Sequence, residues 1–143
     1  MIRVIQSVVA LVQDESGQIL LNTPSPQGPW ALIGGEVLEG EELAAAAKRH
    51  ALKDADLTIE TSEEICQLVG EKYQFIYECG ADQTWIPTVL RCKILSTNEG
   101  APLKTKWFSL KEIEKLYLDE FATTALKDLQ ELGAVFKEGQ PSR

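Results

Sequence analysis

The sequence predicts an α/β fold, and three observations carry that reading. The chain opens on a run of β-branched residues too continuous for an amphipathic element, an alanine-rich run of helix formers spans 41–55, and β-rich segments follow it. At 143 residues the length suits one domain, expected over 1–143 with a polar, frayed tail from about 137 to 143.

Each element has its own signal. Residues 2–12 read as a largely buried strand, Asp14-Glu15-Ser16-Gly17 as a turn, and Gln18–Leu21 as a second strand completing a hairpin. Residues 23–29 hold three prolines and a glycine and read as an exposed loop. Trp30–Ile33 reads as a short strand ending at Gly34-Gly35. The helix at about 41–55 has acids at its start and bases later, which suits the helix dipole. Leu57–Glu60 reads as a short strand, and Ile65–Cys79 and Trp85–Leu95 as longer β-rich stretches around a turn at 80–83. Pro87 suggests an edge or a bulge. Ser109 with Glu112 forms a capping-box signature for a helix at about 110–117, and Phe121–Leu132 reads as a last helix stopped by Gly133.

Composition excludes several function classes. The 44% apolar and 25% charged fractions are those of an ordinary globular protein. No apolar run approaches the roughly 18–20 residues of a membrane span, and no signal-peptide pattern appears, so a cytoplasmic, membrane-free protein is expected. A net charge of −8 argues against nucleic acid, whose binding rests on released counterions. Cys66, Cys79 and Cys92 contain no Cys-x-x-Cys pair and read as reduced thiols in apolar segments. His50 is the one histidine, which excludes any scheme needing two imidazoles.

The chemistry-bearing segment begins at Gly35. Five residues separate it from Glu41, and seven more separate Glu41 from Arg49. This spacing, with the lead-in Trp30-Ala31-Leu32-Ile33-Gly34-Gly35-Glu36-Val37-Leu38-Glu39-Gly40-Glu41, resembles the first half of the Nudix box. The opening hairpin, the segment Leu90–Leu95 and the run Lys106-Trp107-Phe108-Ser109-Leu110 are similar to the family as well. The resemblance implies an α/β/α sandwich with a mixed central sheet. It also implies Mg²⁺- or Mn²⁺-dependent hydrolysis of diphosphates, assisted by a backbone carbonyl that carries over to Gly35.

The second half of the box departs from the family pattern. His50 and Lys53 stand where it has glutamates, Asp54 keeps an acid, and Asp56 replaces a glycine. Positions 50, 53 and 54 share one helical face, where three carboxylates would bind a hard dication. An ammonium about 5 Å from a dication at an effective dielectric near 20 is repelled by at most roughly 6–7 kcal/mol. A millimolar metal site is worth only about 4 kcal/mol. The lysines Lys104 and Lys106 also stand where many family members carry a further glutamate, with Glu99 a distant substitute.

Three functional readings follow. The first is a Nudix-like domain that binds a nucleotide-like or other phosphorylated ligand with impaired or absent hydrolysis, needing no cofactor. In it Arg49, His50 and Asp54 are vestiges of the catalytic set, while Trp30, Lys53 and Lys104 contact ligand. Lys53 and Lys104 read equally well as surface lysines, and Glu36, Glu39, Glu41 and Arg49 as structural charges. The second is an active hydrolase with Mg²⁺ or Mn²⁺ held by Gly35, His50 and Asp54; His50 and Asp54 alone are too few ligands. The third is a non-catalytic interaction protein, expected as a homodimer.

Overall fold

The computed structural model describes residues 2–23, 27–97 and 105–135. Along them run β1 (Arg3–Val12), β2 (Ile19–Asn22), β3 (Ile33–Glu36), α1 (Leu43–Ala55), β4 (Leu57–Gln67), α2 (Glu71–Ile76), β5 (Gln83–Thr97), β6 (Thr105–Phe108), α3 (Leu110–Glu114) and α4 (Glu120–Glu131). A mixed sheet has the order β3-β1-β5-β4, and β2 pairs with β6 in a separate two-stranded sheet. β1 runs parallel to β5 and antiparallel to β3.

The continuous apolar run in β1 reflects burial on both faces. Val8, Ala10 and Val12 pack toward α1, whereas Val9 and Leu11 pack toward α4 and Tyr73. The helical layers therefore sandwich the sheet. α1 buries Ala46, Ala47, Ala51 and Ala55, whose small side chains let the helix lie close to the sheet. Its cap, Asp56, has φ of 54°, a left-handed conformation that aspartate tolerates better than most non-glycine residues.

Four expectations need correction. The hairpin forms at its turn, where Asp14 N–H donates to the Gln18 carbonyl at 2.9 Å and Gln13 bridges Ile19. Beyond the turn β2 leaves to pair with β6, because β3 and β5 already occupy the two edges of β1. The third strand lies at Ile33–Glu36 and runs through the glycines, instead of ending at them. Trp30 and Ala31 make single bridges to Leu118 and Asn22.

The segment read as β-rich over 65–79 divides between the end of β4 and the helix α2. Packing outweighs β propensity there, since Tyr73 is fully buried against α4 and its hydroxyl donates to Asp128 at 2.6 Å. Pro87 sits in the interior strand β5. Its carbonyl accepts from Leu68 N–H at 2.8 Å, so the donor that proline lacks points past the end of β4 and costs no ladder bond.

The capping box at Ser109 and Glu112 forms as expected, although α3 is shorter than 110–117. Asp119 caps α4 by accepting from Ala122 N–H at 2.6 Å. Lys104, Glu99, residues 24–26 of the proline loop and the tail at 137–143 lie outside the described residues.

Tyr73→Phe should lower unfolding free energy by about 1–3 kcal/mol in a urea titration, the usual cost of losing a buried hydrogen bond to a charged acceptor. An unchanged midpoint would mean that the Tyr73–Asp128 bond contributes nothing net.

Candidate functional site

The site grows from the junction of β3 and α1. Arg49, two turns into the helix, reaches back across the connecting loop. Its Nε and Nη2 donate to the two Glu41 oxygens, each at 2.9 Å, and Nη2 also donates to the Glu36 carbonyl at 2.9 Å. Glu41 accepts from Leu38 N–H at 3.0 Å. The Arg49 guanidinium, helped by that amide, holds the Glu41 carboxyl down at about 2, and Glu41 in turn raises Arg49. Glu41 and Glu42 precede the first helical turn, so Glu41 acts through the arginine and not as a first-turn acid.

His50 lies beside Arg49, its side chain 12% exposed. Its Nε2 is 2.9 Å from the Glu36 carbonyl, which can only accept, so Nε2 carries the proton. Its Nδ1 lies 3.8 Å from Asp54 Oδ2, too long for a hydrogen bond. Gly35 packs against the His50 ring, and a Cβ there would overlap the imidazole. A Cβ on Gly34 would likewise overlap the Val8 carbonyl. The paired glycines thus allow two close approaches at once.

A cleft of about 560 Å³ opens next to this junction, with Gly34, Gly35, Lys53 and Asp54 along one side. Tyr77, Trp85 and Phe121 form an aromatic wall, with the Tyr77 and Trp85 rings stacked at 4.5 Å and 5°. Tyr77 also lies 5.5 Å from Phe121, and burial pushes its phenol up. The Ser7 hydroxyl, 3% exposed, lies beside the Tyr77 phenol without a well-formed hydrogen bond. Asp119 also lines the cleft, and burial raises its carboxyl.

Of the residues singled out from sequence, Gly35, Lys53 and Asp54 meet at this cleft. Arg49 and His50 are tied behind it to Glu36. Trp30 is elsewhere: it packs edge-on against Phe108 at 4.9 Å, against the core and outside the cleft lining. The aromatic residues at the cleft are instead Tyr77, Trp85 and Phe121, the first two from segments that read as β-rich in the sequence. Nothing local distinguished them, because their partnership joins α2's end to β5. Asp119 was legible as a polar residue before a helix, but not as a cleft residue.

The described residues do not fit a divalent metal. Among the described residues, no three histidine, cysteine, aspartate or glutamate side chains gather as a metal site would require. His50 has committed Nε2, and Lys53 brings a positive charge to the cleft beside Asp54.

The family model described as NUDIX domain matches residues 4–129. No curated protein matches the sequence significantly. Solved structures share the fold at low identity. A NUDIX hydrolase from Nitrosomonas europaea is 20% identical with a TM-score of 0.65, the match covering 96% of this chain and 74% of that one. A MutT protein from Methanosarcina mazei Go1 is 20% identical with a TM-score of 0.66, covering 93% and 96% of the two chains. An ADP-ribose pyrophosphatase from Streptococcus suis is 19% identical with a TM-score of 0.65, covering 94% and 96%.

The Glu41–Arg49 pair sets an acid dependence. A depressed folded pKa stabilises the protein above the ordinary carboxyl value of 4.5, and this contribution is lost as pH falls toward about 2. Carboxyl-carbon NMR should show Glu41 titrating at the bottom of that window, and Arg49→Ala should return it toward 4.5. A Glu41 signal that titrates normally in the unsubstituted protein would contradict the pairing.

Proposed function

The chain belongs to the Nudix family, whose members hydrolyse nucleoside diphosphate-linked compounds, and from that premise we propose that this chain binds a nucleotide-like phosphorylated ligand without hydrolysing it efficiently. One observation carries the reading: an ammonium, Lys53, and a single carboxylate, Asp54, border the cleft where the family's metal-holding acids belong. Nudix hydrolases typically use Mg²⁺ or Mn²⁺, and such an ion supplies charge neutralisation and an activated water at neutral pH. Nothing in this donor set replaces those two services.

The cleft suits a ligand with an aromatic end and an anionic end. Tyr77, Trp85 and Phe121 offer ring faces and edges to a heterocycle, and the Ser7 hydroxyl and Asp119 carboxylate offer polar partners beside them. Lys53 is the cation among the described lining residues, set against the two acids Asp54 and Asp119. A site of that balance favours one phosphate over a polyphosphate, whose further charges would meet no compensating cation. Cytoplasmic location is part of the same reading, because nucleotides of this kind are intracellular solutes; among the described residues no helix is long and apolar enough to cross a membrane.

Calorimetric titration with nucleoside monophosphates, nucleoside diphosphates and ADP-ribose should show binding that EDTA leaves intact. Lys53→Glu should weaken it about tenfold or more, the loss of a charged hydrogen bond worth roughly 1.5–3 kcal/mol. Phosphate-release assays with Mg²⁺ or Mn²⁺ should show negligible turnover. Robust metal-dependent turnover that Asp54→Ala abolishes would instead establish the active-hydrolase reading with Gly35, His50 and Asp54. Restoring acids by the combined changes His50→Glu, Lys53→Glu and Asp54→Glu should introduce metal binding, detectable as a Mn²⁺-dependent rise in Tm; no rise would show that the deficit lies outside this helix face.

A further inference from the structure

A second groove, lined by residues other than those of the cleft, leaves part of a strand edge open. Arg3 N–H donates to the Asp82 carbonyl at 2.7 Å, so at this residue β1 directs its main-chain groups toward β5. Alternation along the strand then points the N–H and C=O of Val4 the opposite way, toward β3. But β3 ends at Glu36, and its last tie to β1 is the 2.9 Å bond from Val37 N–H to the Gln6 carbonyl. Among the described residues, nothing pairs with the Val4 main chain on that side.

The open edge lies in a groove of about 470 Å³ whose lining includes Arg3, Val4, Gln6, Glu36, Leu38 and Glu39. Val4 and Leu38 are more than half exposed, as is Ile2 beside them. Ile2 and Val4 share one face of the strand, two residues apart. Natural sheet edges of this kind are usually blunted by lysine, proline or a bulge. Here Arg3 is the one charge between Ile2 and Ile5.

We propose that this groove binds an extended basic peptide as an added strand on β1. Main-chain bonds to Val4 would hold the peptide, alternate apolar side chains would cover Ile2, Val4 and Leu38, and basic side chains would meet the exposed Glu36 and Glu39. Charge selects this occupant over a second copy of the chain. Two copies each carry a net charge of −8, and antiparallel pairing about a two-fold centred on Arg3 would set two arginines directly opposite each other. A cationic peptide escapes the net-charge repulsion, is drawn in by the molecule's field, and finds two acids, Glu36 and Glu39, set against Arg3 in the groove.

The test is fluorescence anisotropy on the full chain with a labelled short peptide alternating lysine and valine, and with a glutamate-valine peptide as its counterpart. The basic peptide should bind saturably and the acidic one should not. Val4→Pro removes the outward N–H while leaving the bonds to β5, and should weaken binding about tenfold, equivalent to about 1.4 kcal/mol. Glu39→Lys, at an exposed position, should weaken it as well and serves if Val4→Pro fails to fold. Amide shifts on titration should fall on residues 2–6 and 36–39. Binding unaffected by either substitution, or shifts mapping elsewhere, would overturn the proposal. So would a dimer seen by light scattering that Val4→Pro dissolves, because the edge would then belong to a second copy. Cleft ligands should bind equally with or without the peptide, which keeps this test separate from the nucleotide reading.

Discussion

The carbonyl of Glu36 is the point on which the site depends. It accepts from Arg49 Nη2 and from His50 Nε2, so two consecutive helical residues are anchored to the end of one strand. Glu41 completes the clamp by accepting from Arg49 Nε and Nη2 and from the amide of Leu38. Charge-assisted, bidentate geometry of this kind fixes orientation as well as distance. The clamp sets how α1 lies on the sheet, and therefore which faces of positions 53 and 54 meet the cleft. The buried alanines of α1 permit the close approach, and the glycines of β3 leave room for the imidazole and for the Val8 carbonyl.

The same clamp constrains what His50 can do. With Nε2 bound to the Glu36 carbonyl, only Nδ1 is left to act elsewhere, and that atom faces Asp54 across 3.8 Å. An imidazole held this way is a structural strut whose second nitrogen is half enclosed. A substitution that a bare motif comparison would count as a lost acid has been taken into the packing at Gly35. It would resist simple reversal unless a glutamate could satisfy the same carbonyl's surroundings.

Much of the architecture was legible because its signals are local. Helix α1 follows from alanine and leucine content, α3 from the Ser109–Glu112 box, and β1 from a run too apolar for one buried face. The larger errors concern partnership. The β2 sequence reads as a strand in isolation but cannot declare that β6, not β1, will be its neighbour. α2 contains Tyr73, Phe75 and Ile76, which favour strands until a buried hydroxyl finds Asp128, some 55 positions away in sequence. The site divided along the same line. Lys53 and Asp54 were readable once the resemblance to the Nudix box had singled out positions 50, 53 and 54 on one helix face, whereas the Tyr77–Trp85 stack arises from elements separated by a turn, and Trp30 packs against the core beside Phe108.

Exchanging acids for an ammonium changes the kind of work such a cleft can perform. A lysine that pairs with a phosphate does so in the ground state about as well as in any transition state, and uniform binding of that sort raises affinity without accelerating the bond-breaking step. A hydrolase needs charge stabilisation that grows as the bond breaks, together with a water made nucleophilic near neutral pH, and both demands are met most directly by a dication on anionic oxygens. On the proposed reading Asp54, partly exposed and beside Lys53, does not assemble that field by itself. The aromatic wall and the buried hydroxyl at Ser7 involve no metal ligand, so on the proposed reading the cleft keeps the groups that would recognise a ligand, while the helix face that would serve cleavage carries an imidazole and a cation.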